Sequence, residues 1–509
     1  MKVSRRSVLG SGVLGLGALP TLLSAKPAGV PQLTKEKPPK NIIFMVADGM
    51  ADQVPAMATQ FRMLTEGKPS TWQELMGQDY AVNGLQDTAS LNSLVTDSAA
   101  ASTSWGSGRR IWNGMLNMYP DGTKLKTLVQ IMSENKVRCG LVTTTRITHA
   151  TPAGFAVNNL VRDNEDEIAA DYMRSGVEVL MGGGNAFFSP DKRKDKRNLY
   201  AEYATAGFHV VRDKTAMDAW DGQGKFLGIY ADQHIPYTID RRNDPALDAV
   251  VPTLAAMTKK AIEALKGSSN GFLLQVEGGK VDHGGHANDL AGMLYDQMEF
   301  EDAVRVAVEF ALADGETLVV ITADHATGGP SLNGAGDEYS DSTAGLLTVQ
   351  NMKCSYEVLS AHAKDAKTAA DFQDLVLENL GLKLTTEEAD AIVATKAGKS
   401  PFALNPFQRG LTSVMGVVFG NYSKVQWTSG NHTSEWVLVT AVGPQSSWFH
   451  GVHRNQTFFD MMLATKGLQH ENPTMDLATA KPLYEEMQKR LKTGGLLMTR
   501  HADQFNYGA

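Results

Sequence analysis

Residues 41–49 read Asn41-Ile42-Ile43-Phe44-Met45-Val46-Ala47-Asp48-Gly49. An unbroken apolar run of strand length, followed at once by an acid and a glycine, is the pattern of a strand covered on both faces, as in parallel sheets. The residue that follows such a strand falls at the carboxyl edge of the sheet, where α/β proteins bind their ligands. The plan recurs along the chain. Phe272–Val276 is followed by Glu277-Gly278-Gly279 and then by Asp282-His283-Gly284-Gly285-His286. Thr317–Thr322 is followed by Asp324-His325, and His432 stands just before the apolar run Trp436–Val442. Gly140–Thr144, Val177–Met181 and Lys225–Tyr230 are further strand candidates, while Leu290–Leu312 and Thr253–Leu265 carry helical periodicity. Strands alternating with helices imply an α/β fold with a mostly parallel sheet.

Composition is consistent with this. The chain has 509 residues, 42% of them hydrophobic and 20% charged, enough for a large buried core. A net charge of −8 argues against a nucleic-acid binding domain. Two cysteines exclude a disulfide scaffold and a cysteine-rich zinc module, but twelve histidines leave room for an imidazole/carboxylate metal site. Cys139 opens an apolar run and reads as a buried thiol.

The first 25 residues are predicted to be an export signal: a basic start with Arg5-Arg6, a glycine-interrupted apolar run from Val8 to Leu23, then Ser24-Ala25. The paired arginines resemble a twin-arginine signal, which implies a periplasmic or secreted bacterial protein. The apolar run is short for a membrane span, so no stable span is expected after cleavage. Removing residues 1–25 takes away three basic and no acidic residues and leaves a net charge of −11. Residues 26–40, with four prolines and four lysines, read as a linker. The catalytic domain is expected over 41–509, with an insertion at about 331–431. Within that insertion Ala361–Leu380 and Glu387–Thr395 are predicted helices, the second opened by a Thr385/Glu388 capping box. The basic run 192–197 reads as a solvated loop.

Two further segments carry chemistry. In Thr96-Asp97-Ser98-Ala99-Ala100-Ala101 the small residues suit a helix start, with Ser98 at its positive end. Ser98 is then either part of a plain N-cap or a nucleophile; without a Gly-x-Ser-x-Gly elbow around it, a metal ion is the remaining activator. His149-Ala150-Thr151-Pro152 follows the strand Gly140–Thr144, and Arg162 lies eleven residues past Thr151. On its own Arg162 reads as a surface arginine; its planar fork suits phosphate.

Taken together and in order, Val46-Ala47-Asp48-Gly49, Thr96-Asp97-Ser98-Ala99-Ala100, Thr148-His149-Ala150-Thr151-Pro152, Val276-Glu277-Gly278-Gly279 with Asp282 and His286, Thr322-Ala323-Asp324-His325 and His432-Thr433 resemble the alkaline phosphatase family from about Asn41 to Phe459. The resemblance implies a three-layer α/β/α fold and hydrolysis of phosphate monoesters through a phosphoserine at Ser98. It implies one Zn2+ held by Asp282, His286 and His432, and a second held by Asp48, Asp324 and His325. A third ion, usually Mg2+, would be held by Asp48, Thr151 and Glu277, and Arg162 would bind two phosphate oxygens. His149 and His283 stand where one branch of the family has aspartate and lysine; other members resemble this chain in carrying histidine at both, so the third site takes magnesium, zinc or another divalent ion. His450 and His453, which also resemble the animal branch, read as structural. The resemblance favours a homodimer acting on small-molecule phosphate esters. A phosphodiesterase or sulfatase of the same superfamily is the alternative, and a non-catalytic exported metal- or phosphate-binding protein a distant one.

Overall fold

The computed structural model describes residues 37–493, and the predicted export signal lies outside the described residues. A ten-stranded sheet forms the centre. In chain order its strands are β1 (Asn41–Ala47), β2 (Ala81–Asp87), β3 (Arg138–Arg146), β4 (Val177–Gly183), β5 (Phe208–Val211), β6 (Lys225–Ile229), β7 (Phe272–Gly278), β8 (Thr317–Thr322), β9 (Val437–Val442) and β10 (Gly451–Arg454). Their order across the sheet is β10-β2-β9-β8-β1-β7-β3-β4-β6-β5. Only β9 runs against its neighbours. β1 lies at the centre, parallel to β7 on one side and β8 on the other, which brings Ala47 opposite Gly278 and Val46 opposite Thr322.

The doubly apolar strands are explained by the two cores. Alternate residues of β1 point to opposite faces. Ile43, Met45 and Ala47 enter one core with Val54, Phe61, Trp72, Met257 and Leu294, from helices on that side. Ile42, Phe44 and Val46 enter the other with Trp105, Leu128, Phe155, Ile168 and Phe458. Phe44 meets Trp105, Phe155 and Phe458 with ring centroids 5.0, 5.5 and 6.3 Å apart. This is a three-layer α/β/α arrangement with a large, mostly parallel sheet.

Several local expectations are corrected. Ala361–Leu380 is two helices, Tyr356–His362 and Ala369–Leu380, and the second begins at its own Thr368/Asp371 capping box. The Thr385/Glu388 box forms as expected. In the basic run, Arg193 is not solvated: it is buried, paired with Asp166 and Asp195, and donates to the Phe187 carbonyl at 2.7 Å. Both cysteines are buried free thiols. The start of the helix Tyr356–His362 in segment 331–431 is tied to the helix Thr238–Asn243 and to the cap of the helix Leu290–Asp314 through buried polar contacts. Asp240 accepts from the Ser355 amide and hydroxyl, each at 2.7 Å, and Asp289 accepts from the Tyr356 amide at 2.6 Å. Among the described residues no helix is long and apolar enough to cross a membrane.

Candidate metal centre

The carboxyl ends of β1, β7, β8 and β3 deliver the predicted residues to one place. Asp48 follows β1 and is fully buried. The next residue must be glycine: Gly49 has φ +72°, and a Cβ there would lie 2.5 Å from the Asp282 Cα. That close approach brings the β1 turn against the helix Lys280–Ala287, on which Asp282 and His286 sit one turn apart with Nε2 to Oδ2 at 3.4 Å. Beyond β8, the Asp324 Oδ1 accepts from the Gly49 and His325 amides at 3.0 and 2.9 Å. A two-residue ladder pairs His432 with Thr327, which returns the late part of the chain to the same rim.

Two histidines are oriented by the backbone. The Nδ1 of His286 lies 2.7 Å from the Gly430 carbonyl, and the Nδ1 of His432 lies 2.7 Å from the Thr96 carbonyl. A carbonyl only accepts, so each Nδ1 carries a proton and Nε2 is the ring nitrogen turned toward the site. Those two Nε2 atoms are 3.0 Å apart, and the His432 Nε2 is 3.6 Å from the Asp282 Oδ1. Two imidazole nitrogens and a carboxylate gathered at one point form a ligand set suited to a cation. Orientation of ligand imidazoles through Nδ1 is the usual outer support of metal sites. Thr327 donates to the Asp282 Oδ1 at 2.6 Å and fixes the carboxylate.

The second group is Asp48, Asp324 and His325, all buried, with the His325 Nε2 3.1 Å from Asp324 and 3.7 Å from Asp48. Ser98 faces it: its Oγ is 3.3 Å from the His325 Nε2. Ser98 is the first residue of the helix Ser98–Ser107, capped by Asp97, whose Oδ1 accepts from the Ala100 amide at 2.9 Å. The predicted cap and the candidate nucleophile thus coexist. The amides at this helix start suit an anion.

The third group is Asp48, His149 and Glu277, joined by Thr151, which donates to the Asp48 Oδ2 at 3.0 Å. The His149 Nδ1 and the Glu277 Oε1 lie 4.0 Å apart, both buried and both outside any hydrogen bond. Burial pushes the Asp48 carboxyl well above its ordinary range, and the charges of Asp324, Asp282 and Glu277 add to this. Glu277 is pushed up to about 7, first by burial, with Asp324 adding to it. Crowded carboxylates of this kind are stabilised by cations in their midst. Oxygen and imidazole donors without thiolate fit zinc and, at the oxygen-rich group, magnesium. Burial, then Arg162 and Arg146, pushes His149 well below the ordinary imidazole range, so its ring is neutral.

Arg162 is buried beside this group rather than on the surface. Its guanidinium lies 3.1 Å from the Asp97 Oδ2 and 3.0 Å from the His149 Nε2. His283 is buried with its ring 6.0 Å from that of His149. Every predicted site residue is therefore within one cluster. Two neighbours were not predicted. His234 packs edge to face on His283 at 4.3 Å, and its Nδ1 accepts from the Arg146 amide at 3.2 Å. The Arg146 side chain is held by Glu165 at 2.7–2.8 Å. His234 lies a few residues past β6, so the strand-end rule that singled out the other site residues would have found it too. His450 and His453 are not among the grouped residues; the His453 Nε2 lies 3.0 Å from the His450 carbonyl.

The fold and the centre define an α/β protein with three joined imidazole/carboxylate groups at the sheet's carboxyl edge, beside a serine at a helix start. A family model described as alkaline phosphatase matches residues 39–468. Alkaline phosphatase 3 of Bacillus subtilis is 33% identical over 422 residues, covering 81% of this chain and 86% of that protein. The crystal structure of Thermus thermophilus alkaline phosphatase superposes with a TM-score of 0.82 at 31% identity, covering 90% of this chain and 99% of the other. A histidine-to-aspartate variant of the alkaline phosphatase from the Antarctic bacterium TAB5, with magnesium bound in its M3 site, has a TM-score of 0.60 at 25% identity, covering 86% of this chain and all of the other. The chain belongs to the alkaline phosphatase family, and is a metal-dependent phosphatase.

Proposed function

We propose that the chain hydrolyses phosphate monoesters in two displacements through a phosphoserine at Ser98. The observation that carries this is the Ser98 Oγ at the head of its helix, 3.3 Å from the His325 Nε2. Asp282, His286 and His432 would hold one zinc, Asp48, Asp324 and His325 a second, and Asp48, Thr151 and Glu277 a magnesium, with His149 adjacent to that third ion. Bound ions would lower the pKa of the attacking hydroxyl and of water and offset the charge on the phosphoryl oxygens.

The protein's own part is positioning. The Arg162 fork takes two non-bridging oxygens of the phosphate, and Asp97 fixes the plane of that fork. The helix start that bears Ser98 adds backbone donors. Ser98 loses its proton to water, its Oγ bonds to phosphorus, and the bond to the ester oxygen breaks; the released alkoxide takes a proton and leaves as the alcohol. A water that gives up a proton then attacks the same phosphorus, the Oγ–P bond breaks, the Ser98 Oγ takes up a proton, and inorganic phosphate leaves with net retention. Both attacking groups gain from deprotonation, so the rate rises toward alkaline pH. Because only the phosphate is gripped, a broad range of small phosphate esters is accepted.

Ser98→Ala is expected to nearly abolish turnover of an aryl phosphate while zinc content by elemental analysis stays normal. Retention of most of the rate would contradict the nucleophile. A bis-aryl phosphate should be a poor substrate for the same enzyme. The periplasmic or secreted location rests on the sequence of residues 1–25 and is tested by cell fractionation. The homodimer rests on family resemblance and is tested by sedimentation.

A further inference from the structure

The family match ends at residue 468, and the helix Leu477–Thr493 lies wholly beyond it. This helix covers a small satellite core near the phosphate-binding side of the site. Met487 is buried there with Ile111, Met115, Tyr119 and Leu125, and with Ala100 of the Ser98 helix. Tyr484 stacks on Trp112 with ring centroids 4.2 Å apart and planes 17° from parallel. The two residues after Trp112 are the ones that hold the phosphate clamp. The Asn113 Oδ1 accepts from the Asp97 amide at 3.2 Å, and the Gly114 amide donates to the Asp97 Oδ2 at 2.9 Å, the same oxygen that Arg162 contacts. The Gly114 carbonyl accepts from the Arg162 amide at 2.9 Å. Gly114 has φ +86°, a left-handed turn that lets both its amide and its carbonyl face the clamp. Asp97 is in turn close enough to Tyr484 for its charge to push the phenol upward, after burial, which is the larger cause.

We propose that Tyr484 of this C-terminal helix is a positioning residue for phosphate binding, acting through the stack on Trp112 and the Asn113-Gly114 turn to hold Asp97 and the Arg162 fork in place. The inference rests on the reading that Arg162 binds the substrate phosphate. An arginine fork discriminates by geometry, so a turn that holds both its backbone and its carboxylate partner sets affinity directly. The acids that follow β1, β7 and β8 are positioned by those strands, whereas Ser98 opens the helix that Asp97 caps. Loosening the helix at Tyr484 therefore acts first on the Arg162 fork and the binding of the phosphate group, and reaches Ser98 only through the Asp97 cap.

The test compares wild type, Tyr484→Ala, Tyr484→Phe and Arg162→Ala in the full chain, loaded with zinc and magnesium. The readouts are KM and kcat for an aryl phosphate and the inhibition constant for inorganic phosphate. Tyr484→Ala is expected to raise KM and the phosphate inhibition constant together by about fivefold, the size one aromatic stack supports, with kcat within about twofold. Tyr484→Phe keeps the stack and is expected to restore both constants. Unchanged KM and inhibition constants in Tyr484→Ala, with or without a lower Tm, overturn the proposal, as does failure of the Phe variant to restore them. If Arg162→Ala itself leaves phosphate inhibition unchanged, the reading of Arg162 fails and the proposal with it; if Arg162→Ala weakens inhibition and Tyr484→Ala does not, only the proposal fails.

Discussion

The two histidine-bearing sides of the centre are held in different ways. His286 and His432 are each pinned at Nδ1 by a backbone carbonyl, so their Nε2 atoms have fixed positions and point at Asp282. His149 and His283 are placed by ring packing around His234, with centroids 4.3–6.0 Å apart, and by the Arg162 contact at His149. Backbone pins give a rigid, imidazole-rich pocket that suits a tightly held tetrahedral ion. On the second side one imidazole stands beside the carboxylates of Asp48 and Glu277, so the donor set there mixes oxygen and nitrogen.

The comparison is broken most severely at the pinned side. His432→Ala removes a ring whose position is fixed, and we expect a loss of zinc affinity beyond about 100-fold, the upper end of what losing an outer support costs. Equilibrium dialysis measures it; an affinity within a factor of about ten of wild type would show that His432 is not a ligand. The packed side should respond less and in a different sense. His149→Asp substitutes an oxygen donor for an imidazole and is expected to shift the preference at the third group toward magnesium by about tenfold, leaving the other zinc affinity unchanged. Competition between the two metals, read by elemental analysis, checks this, and an unaltered preference would detach His149 from the third ion. The smallest effect is the roughly fivefold change in phosphate affinity expected from Tyr484→Ala, which touches neither side directly.

Much of this arrangement could be read from the chain. β1, β7 and β8 are buried on both faces, so their apolar runs stand out, and each run leads within two residues to its acid, Asp48, Glu277 or Asp324. β2 is hidden because Ala81–Asp87 carries Asn83, Gly84 and Gln86. Gly84 is there because a Cβ would meet the Phe449 carbonyl at 2.4 Å, and Gln86 because its amide donates to Thr322 and to the Ala323 carbonyl at 2.7 Å, just before Asp324. A strand selected for close approach and hydrogen bonding shows no apolar signature. Arg193 escaped for the opposite reason: a run of like charges reads as solvated, yet one arginine of that run turns inward to the Asp166 and Phe187 carbonyls and to the carboxylates of Asp166 and Asp195. The break at Ala363–Thr368 had its signal in the Thr368/Asp371 cap. The Trp112–Tyr484 stack joins segments 372 positions apart, which no local pattern encodes.

The central claim is that Ser98 carries the phosphoryl group between the two displacements. The most direct measurement is to quench the metal-loaded enzyme in acid during turnover of an aryl phosphate and to map phosphorylation by mass spectrometry of its peptides. One added phosphoryl group is expected on the peptide containing Ser98, absent from Ser98→Ala and from enzyme quenched without substrate. Turnover with no phosphoryl on Ser98 at any quench time, or a phosphoryl group on another residue that persists in Ser98→Ala, would contradict it.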